Sequence, residues 1–535
     1  IRLFDNDSHR VTTKFLANPI SSIGTDANLF NSLQEVLTDR QNQVGFSRDN
    51  ESVMVRKKNS VLSRVREQQS YYKINKVNKM NKDEGKLKES PKEAETKESR
   101  VQRETEERCV TAIIIGAGQR GHGYSSFGTY YPSKFKVVGV CDPREYHRNI
   151  EVQRHNITND MVFTDWKEVA TRGKLADCVI ICTPDKLHKE PAITFAKQGY
   201  HILLEKPMAV TEEDCREIIA TCKENNIILA VCHVLRYTPW CQKVKSLIDT
   251  GVIGDVVNIN HTEPVGYWHF AHSFVRGNWC SENESTFSLL AKCCHDFDLI
   301  CCWMGEQKCT RVSSFGNLSH FGKEDKPKGS ASRCLDCPEA VESNCPYSAK
   351  KIYLDRVKGG YRGWPVSVIT DVVDIENVTK ALRTGPYGRC VYESDNDVMS
   401  HQVVNMQFEK GQTATLQMVA FTKRLCSRET KIYGTKGEIT IDNNQTTKLE
   451  VFSFVTGKTE CYRVDDEASK GMLSGHGGAD YHLIETFVSA VAKNDPSLIL
   501  TGPNDTLASH LLVFAADKSR KENRVVTMAA DGSIQ

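Results

Sequence analysis

The chain has 535 residues, of which 39% are hydrophobic and 26% charged, with a net charge of +2. That length exceeds one hydrophobic core and calls for two or three folded units, while a nearly neutral chain has no global field for nucleic acid or a membrane surface. Its apolar runs are short and interrupted, so none reaches the roughly 18 residues of a spanning helix.

Residues 1–108 form a regime of their own. They hold neither cysteine nor tryptophan, whereas all 20 cysteines lie from Cys109 onward. Between Lys73 and Arg108 the chain is mostly Lys, Glu, Asn, Ser and Gln, with no aromatic from Tyr72 to Tyr124. Such a stretch buries too little apolar surface to offset its ordering entropy, and a disordered tail is expected there. The chain opens on Ile1, and Met80 is a plausible natural start. No basic region followed by an apolar core reads as a signal peptide. A cytoplasmic protein with reduced thiols is expected.

Residues 109–232 alternate strands with helices. Val110–Ile115 reads as a buried strand running into Gly116-Ala-Gly118-Gln119-Arg120-Gly121. A strand, G-x-G-x-x-G and a helix make a dinucleotide-binding turn. Its glycines allow the bend, the approach of a pyrophosphate and close helix packing, and the anion sits on the helix N-terminus. A second strand, Lys136–Cys141, ends at Asp142, 21 residues past Gly121, where a carboxylate can accept the ribose hydroxyls of NAD. Ala176–Cys182 ends in Thr183-Pro184-Asp185, and His188 opens the next helix, which Gly199 ends. His201–Leu204 runs into Glu205-Lys206-Pro207, Thr211 caps the following helix, and Ile227–Val231 is a further strand. Strands joined by helices predict a parallel, doubly wound α/β sheet. Ligands in such sheets bind beyond the strands' carboxyl ends, where Gly116–Gly121, Asp142, Thr183–His188 and Glu205–Pro207 all fall. A lysine at that edge, facing a crevice, can hydrogen-bond a substrate hydroxyl and carry its proton.

A second domain, 233–535, is expected to be strand-rich. Its candidate strands are Asn258–Thr262, His401–Phe408, Ala414–Phe421, Glu429–Tyr433, Gly437–Ile441 and Leu449–Phe454, with glycines between them as hairpin turns require. A helical segment from Leu289 carries Lys292, His295 and Asp298 at spacings that share one face. Tyr267-Trp268-His269-Phe-Ala-His272-Ser-Phe-Val-Arg276 combines aromatics with His and Arg, a composition suited to a sugar or acidic sugar. Gly475-His476-Gly-Gly478-Ala-Asp480 offers His476 to the same pocket. Residues 306–380 read as an elaboration holding Cys334-Leu-Asp-Cys337 and Cys345; a zinc site there needs a fourth ligand from Cys309, His320 or Cys390.

The glycine turn, Thr183-Pro184-Asp185 with His188, Glu205-Lys-Pro-Met-Ala209, His233-Val-Leu-Arg236-Tyr237 and Leu247-Ile-Asp-Thr-Gly-Val-Ile-Gly254 together resemble the glucose–fructose oxidoreductase / inositol dehydrogenase / MocA family over residues 109–525. The resemblance implies a Rossmann domain followed by an α+β domain with a large open, mostly antiparallel sheet, forming homodimers or homotetramers through that sheet. It implies tightly bound NAD or NADP, with NAD favoured by Asp142 and NADP left open by Arg144. It implies a carbohydrate, cyclitol or polyol substrate, with Lys206 and His295 as catalytic groups and Arg236, Tyr237 and Asp298 about the substrate, beside Trp268, His272, Arg276 and His476 read above from composition. One departure stands out: the family often has an aspartate four residues before the histidine, and here that position is Ala291, beside Lys292. Lys292 is therefore a third catalytic candidate. A redox-neutral glycosidase or lyase that retains its NAD, and an inactive nucleotide sensor, remain as alternative functions.

Overall fold

The hydrophobic run Val110–Ile115 forms a strand because both of its faces are covered. All but Thr111 are buried, as a parallel strand between two helical layers must be. The computed structural model describes residues 2–5, 10–13, 108–444, 446–464 and 471–535. In the first stretch β1 (Arg2–Asp5) pairs antiparallel with β2 (Arg10–Thr13), and Arg108, the last residue of the expected tail, donates to Asp177; the rest of the expected tail lies outside the described residues.

The Rossmann half runs β3 (Val110–Ile115), α1 (Gln119–Tyr130), β4 (Phe135–Cys141), α2 (Glu145–His155), β5 (Val162–Phe163), α3 (Trp166–Thr171), β6 (Cys178–Ile181), α4 (Lys189–Lys197), β7 (His201–Leu204), α5 (Glu212–Glu224) and β8 (Leu229–Val231). The six parallel strands lie in the order β5-β4-β3-β6-β7-β8. The order reverses between β3 and β6, and the crevice beside that switch point is where such sheets bind ligands. Thr211 caps α5 by accepting from Asp214 N at 3.1 Å.

The other half contributes α6 (Pro239–Asp249), β9 (Val256–Pro264), α7 (Ser288–Met304), β10 (Cys309–Asn317), α8 (Ile375–Thr384), β11 (His401–Phe408), β12 (Thr413–Val419), β13 (Glu429–Gly434), β14 (Gly437–Asn444), β15 (Thr446–Ser453), β16 (Thr459–Val464), α9 (Ala479–Lys493), α10 (Pro503–Glu522) and β17 (Val526–Thr527). Nine strands form one open sheet, β16-β15-β14-β13-β9-β12-β11-β10-β17, antiparallel except for β9 beside β12. The fold is thus α/β overall, a parallel sheet followed by a mostly antiparallel one. β10 lies inside this sheet, paired with β11, so Cys309–Asn317 is not part of the elaboration. The inserted segment between β10 and β11 has short helices and a small core of its own, including Tyr353, Val366, Val378 and Leu382. Helix α10 joins the halves: Leu507 and Phe514 pack on the Rossmann core, and Leu512 and Val513 belong to the larger one. No helix among the described residues is long and apolar enough to cross a membrane.

Candidate functional site

The glycine turn opens directly after β3. Gly116 has φ +92°, and a Cβ there would stand 2.6 Å from the Cys182 carbonyl oxygen after β6, so only glycine fits. A Cβ on Gly121 would land on the Gly116 carbonyl, which fixes the close approach of α1. Gly118 differs: an added Cβ meets nothing nearer than the Arg144 guanidinium at 3.4 Å, which leaves the open approach a pyrophosphate requires. Asp142 stands at the end of β4 and accepts from Ala117 N at 2.8 Å and from Arg144 N at 2.9 Å. The Arg144 side chain folds back on the same carboxylate, with Nε 3.3 Å away. The residues present fit a dinucleotide.

Next along the edge, His188 is fully buried and ties two strand-end loops, with Nδ1 2.7 Å from Pro207 O and Nε2 2.9 Å from Thr183 O. Thr183 Oγ1 donates to Leu187 O. Pro184 begins the single turn Asp185–Leu187. Met208 N donates to His510 Nε2 on α10 at 3.0 Å, so the final helix pins the Glu205-Lys206-Pro207 loop. The Lys206–Pro207 peptide is cis.

Lys206 Nζ donates to the carbonyl oxygen of Ala291 on α7 at 2.7 Å and lies 5.9 Å from the Trp279 ring centroid. Trp279 is held by its Nε1–H on Asp185 Oδ2 at 2.8 Å, which Ser285 also reaches at 3.2 Å. His295, one helical turn after Ala291, faces His233 and His476 at ring-centroid distances of 5.7 and 6.2 Å. Its Nδ1 is buried without a partner. Burial, then Lys206 and His233, hold the His295 imidazole well below its ordinary pKa, so it is neutral at physiological pH. Among the described residues no carboxylate accepts a hydrogen bond from this ring; the carboxylate of Asp480 holds His476 instead, at 3.1 Å.

A charged chain connects the cofactor turn to that histidine. Arg120, inside the glycine motif, donates from Nε to Glu205 Oε1 at 2.6 Å and bidentately to Asp480 at 2.8 and 2.9 Å. Tyr124 OH donates to the same Glu205 oxygen at 3.0 Å. Burial pushes the Asp480 carboxyl up, but Arg120 and His476 outweigh it and hold the group well below the carboxylate range. Gln119 reaches across to Ser367 Oγ in the insertion at 3.2 Å.

Lys292 points away from this pair. Its Nζ lies 2.9 Å from Cys426 Sγ and 3.5 Å from Glu263 Oε1. Burial works against the ammonium, but Cys426 and Glu263 raise it above its ordinary value. Burial also pushes the Cys426 thiol up, so at neutral pH Glu263 carries the pairing. Below it Arg428 Nε bridges Glu263 at 2.8 Å and Asp296 at 2.9 Å, and His261 Nε2 is 2.8 Å from Asp296.

Several residues expected around the substrate serve elsewhere. Arg236 donates to Asp298 at 3.2 Å and to Leu500 O at 3.2 Å, and Tyr237 OH accepts from the backbone nitrogens of Leu500 and Thr501. They anchor the chain entering α10, and Asp298, 1% exposed, is their counter-charge. Burial raises its carboxyl to about 7. Trp268 lies between Trp364 and Arg356, and His272 Nδ1 is 2.8 Å from Tyr353 OH. Arg276 binds the carbonyls of Arg389 and Tyr347. This aromatic stretch therefore faces the insertion. Asp185, Trp279, Tyr124 and His233 were not read from the sequence as site residues; Asp185 and His233 sat inside motifs already singled out, Trp279 lies three residues past the aromatic segment ending at Arg276, and Tyr124 gave no local signal. Among the described residues no three His, Cys, Asp or Glu side chains already enclose a metal-sized centre.

The buried neutral histidines make stability pH-dependent. Burial lowers His233, His269 and His295 well below 6.5, His510 to about 4 and His272 to about 3. The unfolded chain protonates them near 6.5 and the folded chain does not, so stability falls as pH drops below that value, by up to about 1.4 kcal/mol per pH unit for each histidine. Asp298 runs the other way, since the folded chain takes its proton near 7, but it is one group against five. The urea midpoint at pH 5 is expected well below that at pH 7.5; equal midpoints would contradict the assignment.

A parallel sheet with a glycine turn at its switch point, joined to an open antiparallel sheet that brings α7 over Lys206, defines a two-domain oxidoreductase with an NAD-binding Rossmann fold. Family models agree: residues 110–233 match the Gfo/Idh/MocA oxidoreductase family's NAD-binding Rossmann fold, and residues 245–528 match its C-terminal alpha/beta domain. The chain belongs to the Gfo/Idh/MocA oxidoreductase family. It is 32% identical over 218 residues to 2,7-anhydro-N-acetylneuraminate hydratase of Escherichia coli strain K12, covering 40% of this chain and 55% of that protein. It is 34% identical over 158 residues to levoglucosan dehydrogenase of Pseudarthrobacter phenanthrenivorans, covering 28% and 39%. These matches span about half or less of the relatives' own lengths. A solved levoglucosan dehydrogenase in complex with NADH and levoglucosan superposes with a TM-score of 0.57 at 16% identity, over 78% of this chain and 99% of that one, a likeness of fold.

Proposed function

We propose that the protein is an NAD-dependent dehydrogenase acting on a CH–OH group of a sugar, cyclitol or related polyol. The observation that carries this reading is the meeting of Lys206, from the Rossmann edge, with α7: its Nζ donates to Ala291 O one turn before His295, and its charge helps hold that buried imidazole, with its unpartnered Nδ1, neutral. Gly116, Gly118 and Gly121 would hold the pyrophosphate on the N-terminus of α1, and Asp142 the adenosine ribose. When bound, nicotinamide supplies the hydride acceptor. Lys206 Nζ donates to the substrate hydroxyl oxygen, and His295 takes the hydroxyl proton as the carbon loses hydride. Lys292, held as an ammonium by Glu263 and directed to Cys426, is a structural charge in the Glu263–Arg428 cluster rather than a base. Arg144 sits on Asp142 at the ribose end, so a 2′-phosphate also has a cation within reach.

Incubation with NAD and a panel of sugars and polyols tests the assignment: NADH should accumulate in step with product. A second reading, redox-neutral elimination or hydration with retained NAD, draws support from Ala291 in place of the family aspartate and from the relative named as a hydratase. Product release with no net NADH would favour it. Cofactor binding without turnover on any substrate would instead favour a sensor.

For the cofactor, Gly118→Val is expected to keep the fold, because the Cβ position is open, and to abolish NAD binding, because it fills the pyrophosphate approach. Calorimetry reading unchanged affinity would remove the cofactor assignment. Asp142→Ala should weaken NAD more than NADP.

A further inference from the structure

The insertion between β10 and β11 holds four cysteines on one cavity. Cys334, Cys337, Cys345 and Cys390 line it, together with Arg276. The cavity measures about 20 Å³, room for one water or one ion. Its walls are fixed by backbone: Arg333 and Arg389 form an antiparallel bridge, with Cys334 N donating to Gly388 O at 2.9 Å and Cys390 N to Ser332 O at 2.8 Å. That bridge brings Cys390 beside the Cys334-Leu-Asp-Cys337 turn from 56 residues further along the chain. The other candidate fourth ligands are committed elsewhere, Cys309 to β10 and His320 to Tyr392 OH at 3.0 Å.

We propose that Cys334, Cys337, Cys345 and Cys390 bind one structural zinc ion. Four thiolates are soft ligands in the number a closed tetrahedral zinc site requires, and one C-x-x-C pair supplies two from a single turn. All four cysteines are free, with no disulfide among them. All four line the cavity, but among the described residues they do not stand as a preformed ligand group, so binding requires side-chain rotation between staggered wells. Binding converts four thiols to thiolates and releases four protons, leaving a complex of charge −2.

The surroundings suit that charge. Arg276 is buried and already donates through Nη2 to Cys334 Sγ at 3.3 Å, while its Nη1 is buried with no partner. Lys326, held on Glu393 at 2.5 Å, is within electrostatic range of Cys337 and Cys390. Glu342, the carboxylate on the cavity wall, is taken by Ser348 Oγ. The insertion also needs a staple, because its separate core is small and its helices are short. The same segment carries Tyr353 and Trp364, against which His272 and Trp268 pack.

The test is metal stoichiometry of the untagged full-length chain, purified without chelator, by inductively coupled plasma mass spectrometry. One zinc per chain is expected, released by a mercurial thiol reagent. Cys345→Ser and Cys390→Ser should lose it, while Cys461→Ser, at an exposed position on β16, should keep it. Metal-free wild-type protein would overturn the proposal, as would iron in place of zinc or a disulfide within the four, seen as a mass loss of two hydrogens. The wild-type stoichiometry decides even if the serine variants misfold, and it is read without any turnover assay.

Discussion

Lys206→Met is expected to lower turnover by about 100-fold or more, the usual scale of general acid–base help, while NAD affinity stays near wild type. Methionine keeps the length of the side chain and removes the ammonium, so the packing near Trp279 survives and the donor to Ala291 O does not. His295→Ala should cost a similar factor, because the variant loses the buried, unpartnered imidazole nitrogen that takes the proton. Initial rates with cofactor titrations separate the two effects. Near-normal turnover of the Lys206 variant would sink the mechanism. Lys292→Ala resolves the departure at Ala291: a comparable loss with an altered pH profile would put Lys292 in the proton network, and wild-type turnover would make it a bystander.

Arg428→Met is expected to destabilise the fold by about 3–5 kcal/mol, the scale of a buried ion pair that loses one partner. Arg428 is 4% exposed and bridges Glu263 and Asp296, both fully buried. Burial pushes the Asp296 carboxyl up, but Arg428 and His261 outweigh it and hold the group well below its ordinary value. Without the guanidinium, Asp296 keeps only His261, and Glu263 keeps only Lys292 at 3.5 Å. Denaturant unfolding measures the loss. A change under about 1 kcal/mol would mean that water or a shifted lysine fills the gap, against the network described.

What could be read in the sequence was what short stretches encode. Strand, glycine turn and helix are contiguous from Val110 to Tyr130, and the end of β7 announces Lys206 in the same way. Long-range partnerships carried no such signal. Arg236 and Tyr237 looked like substrate ligands because the carbonyl and amides they hold, at Leu500 and Thr501, come more than 260 residues later. The Glu263–Lys292–Arg428 cluster draws on three distant elements with no shared pattern. β16 was invisible because, as an edge strand, none of its residues is buried and no apolar alternation marks it. β10 was hidden by its polar face and by neighbouring cysteines that suggested an insertion.

The hydrogen bond from Met208 N to His510 spans 302 residues of sequence. During synthesis the Rossmann sheet leaves the ribosome long before α10. At about 5–20 residues per second, some 15–60 s separate the emergence of the two partners. Throughout that interval the loop bearing Lys206 lacks its last anchor. A nascent chain halted after β8 should therefore hold a folded nucleotide sheet whose Lys206 edge is unfinished, and that edge is completed only with the final helix.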